Sequence, residues 1–193
     1  DGTASSYDIV DSASAIVGAT DAILNTGGVA TVTVSGVATA AQGADIDAFS
    51  KDVAFNVVDD AQDVIDEMTA HSEIASAQSI TVSGVANAAQ GVTIDGFTKE
   101  VVFDVDSSAD ALATAIGGDS TLLDEAGSVT VAGGTVDVAD AAAIQGISGY
   151  VDSTASSYDI VDSASAIVGA TDAILNTGGV ATVTVSGVAT AAQ

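Results

Sequence analysis

The chain has 193 residues, with 27 acidic side chains against two lysines and no arginine, and a formal net charge of −25. Neutralising nucleic-acid phosphates requires clustered cations, so this balance excludes a nucleic-acid binder and argues against docking on an anionic membrane. Hydrophobic residues make up 48% of the chain, which separates it from disordered acidic tails, and no apolar run approaches the roughly twenty residues of a membrane span. We therefore predict a folded protein without membrane insertion.

The sequence repeats itself at two scales. Residues 3–42 return letter for letter as residues 154–193, which defines a period of 151 residues. Two motifs recur within that period: the first begins at Tyr7, Phe55, Phe103 and Tyr158, and the second at Val32, Ile80, Val129 and Val183. We predict repeats at 3–51, 52–99 and 100–153, the third with an insertion, and a further period starting at 154–193. Such self-similarity is typical of arrays and solenoids, and we expect a window of a longer repetitive polymer.

Each repeat begins with a short strand followed by a helix. Alternate residues of the first motif are apolar, as in Phe55 and Val57, which predicts a strand. Residue types that cap helix N-termini follow it: Asp11-Ser12, Asp59-Asp60 and Ser107-Ser108. The apolar spacing then becomes helical over 16–24, 64–68 and 112–116. We expect this helix to end at Asn25-Thr26-Gly27-Gly28 in the first repeat and at Ala126-Gly127 in the third.

The second motif predicts another strand, with valine and isoleucine on one face and threonine and serine on the other. An alanine-rich turn or short helix follows it. Right-handed crossovers would place all strands in one parallel sheet, and stacking would bury both faces of each repeat. The fold class predicted is an α/β repeat, an elongated solenoid of parallel strands with helical returns. The alternative is a string of tandem small β-sandwich domains.

The outward face of such a sheet would carry rows of polar residues. First-motif strands would present Asp8, Asn56, Asp104 and Asp159, and second-motif strands would present Thr33, Thr81, Thr130 and Thr184. Calcium favours carboxylate ligands, so Asp8, Asp104, Asp106 and Asp159 are candidate metal ligands, although no RTX or EF-hand motif is present. Aspartates acting as helix caps and turns explain the same pattern. The threonine rows also allow ice binding, against which stands the ordinary strand propensity of threonine.

Catalytic residues are scarce. His71 is the only histidine and there is no cysteine, so a nucleophile and its base would have to be built from serine and aspartate around one imidazole. The carboxylate pairs Asp59/Asp60 and Asp124/Glu125 fall where helix caps and helix ends are expected. We predict a helix-surface histidine, no catalytic residues, no cofactor other than calcium as a candidate, and no enzyme.

The alternation of YDIVDSASAI-like and VTVSGVATAAQ-like segments resembles repeats of very long bacterial extracellular surface proteins, including adhesins, S-layer-like proteins and extracellular filament components. The resemblance implies secretion, a structural or adhesive role, and frequent calcium dependence. We therefore predict a structural repeat segment at the cell surface, forming a stalk, layer or filament, whose partners are other copies of the same repeat. The alternative is an adhesive or ligand-binding module for carbohydrate, a surface or ice that uses the Thr/Asp face.

Overall fold

Strands and helices alternate along the chain in the computed structural model, which describes residues 5–71 and 74–190. Contacts divide the protein into two compact units. The first consists of Asp1–Gly84 with Phe97–Val102, and the second of Val85–Gly96 with Phe103–Gln193.

The first compact unit contains five strands and four helices in the range that the structure describes. In chain order these are β1 (Tyr7–Asp11), α1 (Ala13–Val17), α2 (Asp21–Leu24), β2 (Val29–Val34), α3 (Ala40–Asp47), β3 (Val53–Ala54), β4 (Asn56–Asp59), α4 (Ala61–Ala70) and β5 (Ser79–Val82). The strands pair in the orders β1-β2-β3 and β4-β5.

The second compact unit begins with α5 (Ala88–Asp95). It continues through β6 (Val105–Ser107), α6 (Ala109–Ile116), a 3-10 helix (Ser120–Leu123), β7 (Val129–Val136), α7 (Val138–Gln145), β8 (Ser157–Ser163), α8 (Ala164–Gly169), α9 (Asp172–Leu175) and β9 (Val180–Ser186). Its strands pair in the order β6-β7-β8-β9.

All strand pairings between the described residues are parallel. Helices connect the paired strands, and no sheet closes into a barrel. The predicted α/β class with parallel strands is therefore confirmed. The alternative of tandem β-sandwiches is wrong, because a sandwich is built from two packed antiparallel sheets.

The core of each unit consists of the residues predicted to face inward. In the first unit the buried residues of the two motifs include Val32, Val34, Phe55, Val57, Ile80 and Val82; in the second they include Phe103, Val105, Val129, Val131, Tyr158 and Ile160. Helices cover them with Val64 and Met68 of α4 and with Leu112 and Ile116 of α6, all buried. Burying one such side chain is worth about 1.5–3 kcal/mol relative to leaving it exposed, so these residues are the main source of stability.

Capping residues position the helices that follow each strand. The Asp60 carboxylate accepts the Gln62 and Asp63 N–H groups at the start of α4. Thr39 and Gln42 form a reciprocal capping box at α3, and Asn87 and Gln90 form the equivalent box at α5. These bonds satisfy amides that have no partner within the helix, which fixes where each helix begins.

Two predicted helix boundaries are wrong. The helix predicted over 16–24 is split into α1 and α2, because Thr20 leaves the helical conformation and its hydroxyl accepts the Ile23 N–H to start a new turn. In the third repeat the helix ends well before Ala126. Gly117 takes a left-handed conformation with φ of 56° after Ile116, and a 3-10 helix follows.

A backbone junction recurs where a second motif meets the next first motif. In the first unit the Ala38 N–H donates to the Asn56 carbonyl at 2.8 Å, and the Ala38 carbonyl accepts the Val58 N–H at 3.0 Å. In the second unit Ala86 makes the same two bonds, at 2.8 and 3.0 Å, with Asp104 and Asp106. We call this pair of bonds the alanine junction. It consists of peptide groups alone and follows the parallel-strand pattern.

Candidate functional surface

The aspartates predicted as calcium ligands lie beside hydroxyl groups of the neighbouring strand. Thr31 donates to Asp8 at 2.6 Å, Ser128 to Asp104 at 2.7 Å, and Thr182 to Asp159 at 2.5 Å. In the second repeat Ser79 donates to the neutral Asn56 side chain at 2.8 Å. A side-chain oxygen at this place therefore accepts a hydroxyl proton in every repeat, and a negative charge is not required for the contact. We call these four pairs the hydroxyl ladder.

The remaining predicted ligand, Asp106, has an exposed side chain and takes part in the alanine junction through its N–H. Within the described ranges, the one group of three or more close potential ligands is Asp59, Asp60 and Asp63, so the four predicted residues are not brought together as a set. Calcium binding by Asp8, Asp104, Asp106 and Asp159 stays a prediction.

The Asp59–Asp60–Asp63 group lies at the start of α4. The carboxylates of Asp59 and Asp60 already accept backbone N–H groups there. Asp59 accepts the Ala40 and Asp60 N–H groups, and Asp60 accepts those of Gln62 and Asp63. The charges of Asp60 and Asp59 raise the pKa of Asp63. The equivalent positions are Asp11, Ser12 and Ala15 in the first repeat and Ser107, Ser108 and Ala111 in the third. The group of three aspartates therefore does not recur in these repeats.

An aspartate near the end of two first-motif strands caps a helix of the preceding repeat. One Asp59 oxygen accepts the N–H of Ala40 at the first position of α3, and one Asp162 oxygen accepts the N–H of Val138 at the first position of α7. The other oxygen of each carboxylate accepts the N–H of its own following residue, at 3.0 and 2.6 Å. Hydrogen bonds from Ser163 and Val138 hold the pKa of Asp162 below its usual range. Each of these aspartates therefore links its repeat to the preceding one by a hydrogen bond.

The predicted threonine row differs from the residues in the hydroxyl ladder. Thr33, Thr81 and Thr130 are half-buried and Thr184 is exposed. The ladder instead uses the threonine or serine two residues earlier in each second motif. Beside this row in the first unit lies an open groove lined by Thr31, Thr33, Lys51, Asp52, Ser76 and Gln78.

The two lysines support second-motif strands. The Lys51 ammonium donates to the Val29 and Ala30 carbonyls at 3.3 and 3.4 Å. Lys99, which occupies the equivalent place one repeat later, donates to Ala77 at 2.5 Å. The lysines therefore satisfy backbone carbonyls at corresponding places in two repeats.

The single histidine lies at the end of a helix. His71 is the C-cap of α4, is exposed, and its Nε2 lies 3.2 Å from a carboxylate oxygen of Glu67, one turn earlier. The acids Asp124 and Glu125 follow the 3-10 helix, and the Glu125 N–H donates to Asp95. His71 therefore makes a surface contact with a carboxylate at a helix end.

A polar cluster that sequence reasoning missed connects the third repeat to the one that follows it. The Gln145 side-chain amide at the end of α7 donates to the Tyr158 hydroxyl at 2.6 Å, to the Ile174 carbonyl at 3.0 Å and to the Thr177 hydroxyl at 3.3 Å. Burial raises the pKa of nearby Tyr150. The only sequence signal for this cluster is the lengthened spacing of 55 residues between Phe103 and Tyr158.

The two identical forty-residue segments have different surroundings. Tyr7 is 48% exposed, whereas its copy Tyr158 is 1% exposed beneath the third repeat. Conversely, Val32 and Val34 are 2% and 6% exposed, whereas their copies Val183 and Val185 are 39% and 42% exposed. The first segment is covered by the part of the chain that follows it, and the last segment is covered by the part that precedes it. The neighbouring repeat, and not the local sequence, determines whether these residues are buried.

None of the helices in the described ranges is long and apolar enough to span a membrane. Comparison with known proteins finds no matching family model, no similar curated protein and no similar solved structure.

Proposed function

We propose that this chain is a structural repeat segment of a secreted bacterial surface protein. In this proposal successive repeats stack into an elongated solenoid of parallel strands with helical returns, which extends a stalk, layer or filament from the cell. The observation that carries it is the unequal burial of the two identical segments, since a repeat that is covered only by its neighbours is suited to building length.

The contacts between successive repeats also support a structural role. The alanine junction joins one repeat to the next at corresponding places in both units, and the hydroxyl ladder joins the two motifs within each repeat. The acidic excess favours solubility in salty extracellular surroundings. Polar side chains in the described ranges serve mainly as caps and strand-to-strand bonds, which supports the proposal that the chain is not an enzyme.

A lengthened chain tests this role. We expect a variant with one more 151-residue period to grow in maximum dimension by about 29 Å, because its three repeats contribute two motif strands each, or six layers at about 4.8 Å. Its ellipticity per residue should stay unchanged. Small-angle scattering and circular dichroism of the two chains measure both quantities. Growth of a compact particle, with little change in maximum dimension, would contradict the stacked arrangement.

The second candidate function is an adhesive module that binds carbohydrate, a surface or ice through the Thr/Asp face. The open groove beside Lys51 favours it, because hydroxyl, amide and ammonium groups line the groove together. A glycan-binding signal or thermal hysteresis that disappears in a correctly folded Thr33→Val variant would support this role over a purely structural one.

A further inference from the structure

The helix after each second motif ends in a residue that bonds to the following repeat. At the end of α3 the Asp47 carboxylate accepts the Ser76 N–H at 2.8 Å, and at the end of α5 the Asp95 carboxylate accepts the Glu125 N–H at 2.9 Å. The two partners lie 29 and 30 residues further along the chain, so the contact recurs at a nearly constant place. We call it the helix-end contact. In these two repeats the helix supplies the acceptor.

At the end of α7 the helix supplies a donor instead. Gln145 occupies the place of the two aspartates, eight residues after the N-cap. Its amide donates to the Tyr158 hydroxyl at 2.6 Å, the Ile174 carbonyl at 3.0 Å and the Thr177 hydroxyl at 3.3 Å. An ionised carboxylate has no hydrogen to donate, so the direction of the helix-end contact is reversed after the third repeat.

The repeats that these helices meet differ in a corresponding way. Phe55 and Ile74 approach α3 at its glycine, and Phe103 and Leu123 approach α5 at the equivalent glycine. All four side chains are apolar and buried. Helix α7, which has Ala141 at the place of that glycine, meets a tyrosine and a threonine. A helix ending in aspartate thus precedes a repeat that begins with phenylalanine, and the helix ending in glutamine precedes one that begins with tyrosine.

The insertion of the third repeat provides the acceptor that α7 lacks. The Asp152 carboxylate accepts the Gly178 N–H at 2.6 Å, in the loop that Gln145 also contacts. A loop amide of the following repeat is therefore still satisfied by an aspartate, while the helix end is free to donate to hydroxyl groups. The donor and the relocated acceptor together distinguish this contact from the two earlier ones.

We propose that the helix-end residue selects which repeat follows, and that Gln145 makes the third repeat bind a repeat whose first motif begins with tyrosine, as at Tyr158. A repeat that begins with phenylalanine, as at Phe55 or Phe103, has no hydroxyl at this place. It would leave a half-buried amide without that acceptor, and an unpaired polar group is an effective way to reject a related partner.

This inference deepens the proposed function and rests on its stacking of repeats. If each helix end accepts one class of repeat, the repeats keep a fixed order within the stack. The 151-residue period would then be a unit of recognition as well as of sequence.

Two chains of identical composition test this selection. Each carries a second copy of residues 51–98, which adds 48 residues. In the matched chain the copy follows residue 98, so both of its contacts join a helix ending in aspartate to a repeat that begins with phenylalanine. In the misplaced chain the copy follows residue 153. There Gln145 meets the copy of Phe55, and the copy of Asp95 meets Tyr158.

We expect the matched chain to melt at or above the midpoint of the parent chain. The misplaced chain should melt about 4 °C or more below the matched one, because two contacts are mismatched. Thermal melting followed by circular dichroism measures both midpoints. Equal midpoints, or a higher midpoint for the misplaced chain, would overturn the proposal.

Small-angle scattering of the matched chain separates this result from the proposed function. Stacking predicts growth in maximum dimension by about 10 Å, the depth of two strand layers, whether or not the helix ends are selective. A matched chain that does not lengthen would contradict the stacking itself. A chain that lengthens but melts like the misplaced one would contradict the selection alone.

Point variants at the contact decide the matter if neither lengthened chain folds. Gln145→Met keeps the side-chain length and removes the donor, so it should lower the melting temperature of the parent chain. In a Tyr158→Phe, Thr177→Val background the same substitution should lower it less or raise it, because the Gln145 amide has already lost two of its three acceptors. Equal lowering in both backgrounds would show that Gln145 acts through packing alone, which would overturn the proposal.

Discussion

Asp162 shows how one carboxylate connects two repeats. One of its oxygens accepts the Ser163 N–H at 2.6 Å and the other accepts the Val138 N–H at 3.1 Å. Both bonds favour the ionised form, so the pKa of Asp162 lies below its ordinary value in the folded protein. The resulting stabilisation is present above the unfolded pKa, near 3.9, and is lost as the pH falls through the folded pKa.

We predict that Asp162→Asn lowers the melting temperature at pH 7. An asparagine has one side-chain oxygen and cannot accept both N–H groups, and its amide N–H₂ would face a donor. The difference from the parent protein should shrink as the pH falls below about 4, where the carboxylate is protonated in the unfolded chain, and disappear once the pH has fallen through the lower folded pKa. Thermal melting followed by circular dichroism between pH 2.5 and pH 7 measures the difference.

Asp159→Asn on the same strand is the matched control. Asp159 accepts the Thr182 hydroxyl, and Asn56 accepts the Ser79 hydroxyl in the same way in the second repeat. We expect this variant to melt close to the parent protein. Equal losses in the two variants would show that the effect of Asp162→Asn comes from lost negative charge and not from the double cap.

Helices α3 and α5 approach the following first-motif strand at a glycine. A Cβ atom on Gly91 would lie 2.7 Å from a Val105 methyl and 2.9 Å from a Leu123 methyl, and one on Gly43 would lie 2.7 Å from a Val57 methyl. These methyl groups belong to buried residues of a packed core. Glycine therefore sets the distance between helix and sheet in two repeats.

Gly91→Ala should destabilise the protein by about 1–3 kcal/mol, the usual cost of overpacking, reduced by the higher helix propensity of alanine. Gly169→Ala at the end of α8 is the control, since a Cβ atom there meets nothing within 4 Å. We expect that variant to be neutral or more stable by up to about 1 kcal/mol. Urea unfolding compares the two. A stable Gly91→Ala protein would mean that α5 can move away from the sheet.

Periodicity predicted the elements well because it depends on local burial. The strands around Phe55, Phe103, Ile80 and Val129 and the parallel α/β arrangement all follow from alternation, helical spacing and short crossovers. The break before Thr20 was missed because capping by a threonine competes with apolar spacing over a single turn. The end of α6 at Gly117 was missed because the predicted stop relied on a later glycine.

The hydroxyl ladder could not be read from either motif alone. It depends on the register of two strands, which places Thr31 rather than Thr33 beside Asp8. A signal was nevertheless present, since an aspartate or asparagine precedes a threonine or serine by 23 or 24 residues in every repeat. The Gln145 cluster had only the lengthened spacing as a signal, because Gln145 and Tyr158 lie on either side of the stretch where the repeat spacing is lost.

At the scale of the whole molecule, one sequence has two sets of neighbours. Tyr158 is covered by α7 and accepts the Gln145 amide at 2.6 Å, whereas Tyr7 is 48% exposed. The two tyrosines lie in identical segments and differ in the residues that surround those segments. The same tyrosine can therefore be compared in a covered and in an uncovered repeat of one molecule.

We predict that Tyr158→Phe destabilises the protein by about 1 kcal/mol, because the half-buried Gln145 amide loses an acceptor. Tyr7→Phe should change the free energy of unfolding by less than about 0.5 kcal/mol, as is usual for surface substitutions. Urea unfolding followed by circular dichroism gives both values. Losses of the same size would show that the position within the array does not matter to this residue.

The alanine junction bears on how such a chain can change over evolutionary time. Its bonds come from the main chain, so the partner residues can differ between repeats, as Asn56 and Asp104 do, while the same two bonds persist. The exception is the one amino acid that lacks a peptide hydrogen. In an interior strand every N–H donor faces a neighbouring strand on one side or the other, so a proline would remove one hydrogen bond between strands wherever it arose. The 193 residues contain no proline.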